Sequence, residues 1–206
     1  MLTVWGRANS INVQKVLWTL AELDLNYERI DAGMAFGGLD TDAYQARNPN
    51  RLIPTIDDNG FVLWESNVIV RYLSATYGAG TLCPTDAHAR FHAESWMDWQ
   101  ATSIYPDLAP VFLGLIRNVA EFAAPETIAA SVAKCERWLG ILDAHLADRP
   151  FVNGDNFTMA DIPVGATANR WYRLPVDREP HAHVEAWLNR LRERPAFAAH
   201  LDMPLS

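Results

Sequence analysis

The sequence predicts an α/β unit at its N-terminal end, followed by an all-α unit. Three observations carry this. Residues 2–30 read strand, helix, strand; residues 55–73 read hairpin, then helix; and beyond residue 86 apolar positions recur only at helical spacing. The expected division is 1–78 for the first unit, 79–86 for a linker and 87–206 for the helical unit.

Leu2 to Trp5 is β-rich and alternating, and Gly6 breaks it. Val13, Val16, Leu17 and Leu20 then follow with the period of one helix face. Tyr27 to Ile30 reads as a second strand, and a strand-helix-strand unit this short implies a parallel pair. Residues 32–38 form a loop, and residues 40–47 a short, weak helix. The apolar runs Thr55-Ile56 and Phe61-Val62-Leu63 flank Asp57-Asp58-Asn59-Gly60, where Asn-Gly signals a hairpin. Val68, Ile69, Tyr72 and Leu73 place the next helix start near Glu65. The order β-α-β-α-β-β-α is that of a thioredoxin-like domain.

Gly78, Gly80 and Pro84 mark the linker. A long helical segment is expected over 87–117, bent or interrupted at Pro106 and Pro110, since proline removes a backbone hydrogen bond. Pro125 suits the first turn of a helix over 125–147, and further helices are expected over 159–172 and 183–192. Thr158 and Asp161 have capping-box spacing, with Phe157 and Ile162 at the positions of a hydrophobic staple. A cap contributes about 1 kcal/mol, so this motif is read as serving folding.

The formal net charge is −8, without a basic run, which argues against nucleic acid or an anionic membrane as partner. The two cysteines, Cys83 and Cys135, are too few for a disulfide framework or a metal site, and suggest a reducing compartment. The first residues lack signal-peptide character and no apolar run has the length of a membrane span. A cytoplasmic protein without a metal is expected.

Two stretches carry chemistry. The helix opening at Glu65 presents amide N–H groups without intrahelical partners at the positive end of its dipole. A ligand carboxylate can sit on the Ser66 N–H and hydroxyl while Glu65 holds an ammonium group, or the pair simply caps the helix. The loop Gly6-Arg7-Ala8-Asn9-Ser10-Ile11-Asn12 likewise offers Asn9, Ser10 or Asn12 either as caps or as polar contacts to a ligand. It has no cysteine, which excludes C-x-x-C redox chemistry there.

Pro54 after an apolar residue, then a hairpin, then Glu65-Ser66 eleven residues on, resembles the soluble glutathione transferases. The stretches LWGRANSINVQKVLW, FGGLD, LWESNVIVRYL and WMDWQ are most similar to a proteobacterial group with phi- and theta-like features, and the likeness covers nearly the whole chain. The resemblance implies the glutathione transferase fold, a detoxification role and glutathione as co-substrate. It implies a cis Ile53-Pro54 bond, with Ile53 pairing its backbone with the cysteinyl part of glutathione and Glu65-Ser66 holding the γ-glutamyl end. Ser10 becomes the hydroxyl donor to the thiolate and Asn12 a second polar contact. Two positions depart from the pattern. Leu39 and Leu52 stand where relatives carry polar side chains, so Arg51 is the expected holder of the glycyl carboxylate.

The resemblance also implies a second-substrate pocket walled by Trp96, Trp99, Ser103 and Tyr105, with Arg170 and Trp171 closing it. It implies a homodimer in which Thr102 approaches the neighbouring subunit's γ-glutamyl group. The expected reaction is attack of the glutathione thiolate on a small electrophile, an alkyl or aryl halide or a haloacid-like compound. The rivals are glutathione-dependent disulfide or peroxide reduction or isomerisation on the same fold, and a non-catalytic binding module.

Overall fold

In a computed structural model describing residues 1–205, strand β1 (Leu2–Trp5) pairs in parallel with β2 (Tyr27–Ile30) and antiparallel with β3 (Thr55–Asp58). Strand β4 (Phe61–Trp64) pairs antiparallel with β3, giving a sheet of order β2-β1-β3-β4. The hairpin is tighter than expected. Asp57 and Asp58 belong to the ladder, and only Asn59 (φ 54°) and Gly60 (φ 94°) make the turn. Positive φ at both central residues matches the right-handed twist of the flanking strands, which is why Asn-Gly works there.

Helix α1 (Ile11–Glu22) covers the sheet beside α3 (Ser66–Tyr77), while α2 (Asp42–Gln45) is the short helix expected before the hairpin. Val13, Val16, Leu17 and Leu20 are buried with Leu2, Val4, Ile56, Ile69 and Leu73 in one small core. The other faces of α1 and α3 send Ile11, Trp18 and Val70 into a second, larger core made by the helical part. One sequence stripe thus serves each core, and the two parts of the chain pack across α1.

The helical part contains α4 (Ala87–Trp99), α5 (Tyr105–Leu115), α6 (Pro125–Leu146), α7 (Asp161–Tyr172), α8 (Ala182–Arg192) and α9 (Pro195–Leu201). The break expected at the prolines lies ahead of them, as a π-helical turn over Gln100–Ile104. Pro106 has no N–H for the Thr102 carbonyl, and a widened turn before it absorbs the missing bond, whereas Pro110 sits inside α5. Helix α9 was too short to show a period in the sequence. The last expected residue of the helical unit, Ser206, lies outside the described residues.

Gly165 on α7 permits the close approach that seals the two parts. A Cβ there would stand 2.6 Å from Leu191 Cδ1 and 3.3 Å from the Trp18 ring. Trp18 is fully buried, edge-on to Phe197 at 5.1 Å, and donates its indole N–H to Glu22 at 2.8 Å. The Thr158–Asp161 motif closes in part as expected: the Asp161 carboxylate accepts the Thr158 N–H at 2.9 Å, although α7 starts at Asp161 itself. The same carboxylate also accepts the Val152 N–H and the Trp187 indole N–H, each at 2.9 Å. Burial pushes the Asp161 carboxyl up to about 6, with these donors opposing. No helix among the described residues is long and apolar enough to cross a membrane.

Candidate active site

A cleft of about 330 Å³ opens where the N-terminal end of α1 and the segment before β3 face α5 and α7. Gly6 lies just before the cleft residue Arg7. At φ 154° it turns the chain from β1 onto α1 so closely that a Cβ would lie 2.4 Å from Val13 Cγ2. The three residues that follow deliver Ser10 to the position just before α1.

Ser10 has the extended backbone of an N-cap (φ −79°, ψ 125°), yet its side chain makes no capping hydrogen bond. It lines the cleft instead, beside the unpartnered N–H groups at the positive end of a 12-residue helix. Asn12 lines the cleft too, and its Oδ1 accepts the Ser66 hydroxyl at 3.4 Å, joining the starts of α1 and α3. Asn9 faces a separate small recess formed with Gln14 and Met203. At α3, Glu65 is exposed and held at φ 70°, a conformation rare outside glycine, and it too makes no capping bond. Ser66, the first residue of α3, is buried.

The Ile53–Pro54 bond is cis, and Ile53 lines the cleft ahead of the ladder, whose first registered residue on this strand is Thr55. Arg51 does not reach the cleft. Its guanidinium donates to Gln45 and lies 3.6 Å from Asp40. Arg7 stands in the cleft instead, near Gly33, Leu39 and Ile53.

Beneath the site runs a buried polar chain. Lys15 Nζ donates to Asn67 Oδ1 at 2.9 Å, and Asn67 Nδ2 donates to Gln100 Oε1 at 3.0 Å and to the Met97 carbonyl at 2.8 Å. Gln100 Nε2 in turn donates to Thr167 Oγ1 at 2.9 Å. These links tie α1, α3, the π turn and α7 together. Burial pulls the Lys15 amine down to about 7, with Glu65 opposing and Arg170 assisting.

Of the residues expected to wall a second pocket, Tyr105 and Arg170 line the cleft. Trp99 does not: its indole packs edge-on against Trp96 at 5.0 Å and Trp138 at 6.3 Å, between α4 and α6. Trp171 is wholly buried inside the helical core, and Ser103 sits on the π turn outside the cleft. Thr102 is exposed and donates its hydroxyl to the Asp98 carbonyl at 2.9 Å. The wall is supplied instead by Phe112, Leu113, Arg117 and Ala109, which nothing in the sequence singled out. Cys83 and Cys135 are both buried away from the cleft, and burial pushes the Cys135 thiol up to about 12.

Residues 1–75 match the glutathione S-transferase N-terminal domain, and residues 125–190 the glutathione S-transferase C-terminal domain. Glutathione S-transferase GstB of Escherichia coli K12 is 39% identical over the full length of both chains. The chain belongs to the glutathione S-transferase family. Among solved structures, the theta class glutathione S-transferase of Xanthomonas axonopodis pv. citri with glutathione bound superposes with a TM-score of 0.95. That enzyme is 40% identical, and the match covers 100% of this chain and 99% of the other. A more distant relative is the disulfide-bond oxidoreductase YfcG of Escherichia coli, 27% identical over 90% of this chain and 87% of its own. The relatives of this chain thus carry both kinds of name.

Proposed function

We propose that this chain is a glutathione transferase that binds glutathione along the cleft and activates its thiol for attack on a small electrophile. The observation that carries the reading is Ser10: a serine at a cap position whose hydroxyl leaves the helix alone and faces the cleft. The thiolate is the nucleophile, and a hydroxyl donor at a helix N-terminus favours the charged form over the thiol. Asn12 is the second polar contact. The γ-glutamyl end lies on Glu65 and Ser66, its α-carboxylate on the start of α3 and its ammonium against the Glu65 carboxylate. The cysteinyl backbone runs along Ile53 and Pro54. Arg7, rather than Arg51, supplies the cation for the glycyl carboxylate.

The electrophile is an alkyl or aryl halide or a haloacid-like compound, held next to Tyr105. Neither cysteine lines the cleft, so the reacting sulfur is that of glutathione and no mixed disulfide forms on the protein. The enzyme works as a cytoplasmic homodimer, with exposed Thr102 on the face turned to the neighbouring subunit. Calorimetric titration with glutathione, followed by conjugation assays with halides, peroxides and mixed disulfides, tests the reading. Saturable glutathione binding and turnover of a halide are expected. A protein that fails to bind glutathione is a binding module instead, and one that turns over only disulfides is a reductase.

A further inference from the structure

Lys15 leaves the second turn of α1 towards the interior and is only 3% exposed, yet the chemistry proposed above gives it no part. Its Nζ donates to Asn67 Oδ1 at 2.9 Å, and Asn67 is the second residue of α3, directly after Ser66. Among the described residues it has no ion-pair partner. Two charges act on it among those residues, Glu65 from the start of α3 and Arg170 from α7. The π turn offers only the neutral Gln100, by way of Asn67, and α9 and the sheet, also packed on α1, contribute no charge. A lysine is almost never fully buried unless paired. This one also stands at the positive end of α3, where the helix dipole disfavours a cation. A placement that local rules disfavour is expected at working sites.

An anion on the first turn of α3 would complete the arrangement. In the glutathione complex proposed above, the Glu65 carboxylate turns to the ligand's ammonium and the γ-glutamyl α-carboxylate settles on Ser66, one residue from Asn67. We infer that Lys15 is a positioning residue for glutathione: its buried ammonium, held under the first turn of α3 by Asn67, is the counter-charge to that α-carboxylate and ties glutathione binding to uptake of a proton. This deepens the transferase reading and rests on it. The sign follows from linkage. A carboxylate arriving near the amine favours its charged form, so the bound enzyme keeps Lys15 protonated over a range in which the free enzyme has released the proton. Below about pH 7 the ammonium is present in both states and its contribution to affinity is complete; as pH rises above that, the contribution is lost. A shift of about one unit, the low end for an opposite charge close by, corresponds to about ten-fold in affinity. The burial that makes Lys15 costly to the fold also keeps its charge unscreened by salt.

The test uses S-methylglutathione, which keeps the γ-glutamyl end and has no thiol to titrate. Calorimetry at about pH 7.5, in buffers of low and high ionisation enthalpy, counts the protons exchanged on binding. Wild-type enzyme is expected to take up about half a proton per bound ligand, and to bind it several-fold more tightly at about pH 6 than at about pH 8.5. Lys15→Met is expected to take up none and to lose that pH dependence. An analogue without the α-carboxylate, S-methylated 4-aminobutanoyl-cysteinylglycine, is expected to bind both proteins equally. Should Lys15→Met misfold, the wild-type proton counts with the two ligands decide by themselves, the analogue being expected to give no uptake. Binding of S-methylglutathione without proton uptake overturns this inference alone, as does uptake that persists in folded Lys15→Met. A folded Lys15→Met that weakens both ligands alike also overturns it, since a lysine that only holds α3 in place would do that. Absence of binding by glutathione and S-methylglutathione alike overturns the transferase reading together with this inference.

Discussion

Replacing Ser10 with alanine separates the two roles open to a serine before a helix. A capping serine costs about 1 kcal/mol when removed. Here the side chain makes no capping bond, so Ser10→Ala is expected to change stability by less than about 0.5 kcal/mol. A hydrogen bond to a charged group contributes about 1.5–3 kcal/mol, and each pKa unit corresponds to about 1.4 kcal/mol. The thiol of bound glutathione should therefore rise by about 1–2 units in the variant. It should remain somewhat below the free value near 8.5, because the start of α1 still contributes about 0.3–1 kcal/mol. The assay is ultraviolet thiolate absorbance of the binary complex against pH, with chemical denaturation alongside. A variant that loses about 1 kcal/mol of stability while its bound thiol titrates as in the wild type would show Ser10 to be a cap and refute the reasoning.

Four further substitutions probe the frame. Glu65→Gly removes a side chain from a residue held at φ 70°; relief of backbone strain is expected to raise stability by up to about 1 kcal/mol while glutathione binding in calorimetry is lost. Asp161→Ala strands three buried N–H donors and should cost about 3–5 kcal/mol by urea denaturation; a loss under about 1 kcal/mol would mean the carboxylate is not the hub described. Lys15 releases its proton near 7 in the folded chain but near 10.5 when unfolded, so the unfolded state holds more protons in between and stability gains from this group as pH rises through that window. The advantage of Lys15→Met over wild type should accordingly shrink from pH 7 towards 10, and a constant difference contradicts the assignment. Arg51→Ala, which removes a side chain turned to Asp40 and Gln45, should leave glutathione affinity within about two-fold.

What the sequence revealed was local. Asn59-Gly60 announced its turn because two positive φ values admit few residues, and the apolar stripes of α1 and α3 gave the helices at the correct faces. Ser10 and Asn12 were open as polar contacts from the loop itself, the family resemblance added Ile53 and Tyr105, and the fold brings all four to one cleft. The gathering of Arg7, Arg117 and Arg170 was not legible, since it depends on long-range packing of three elements that share no period. Trp99 and Trp171 misled for a related reason: a tryptophan satisfies a core as well as a pocket, and these two went to the core and to an aromatic stack. The π turn escaped because proline marks where a helix is disturbed, while the backbone takes up the disturbance a few residues earlier.

The account stands on where glutathione's sulfur and its zwitterionic end come to rest. A crystal structure of the glutathione complex measures both at once. The sulfur is expected within hydrogen-bonding reach of the Ser10 hydroxyl, and the γ-glutamyl carboxylate on the Ser66 amide with the ammonium beside Glu65. Glutathione bound elsewhere, or lying in the cleft with its sulfur turned away from α1, would contradict it.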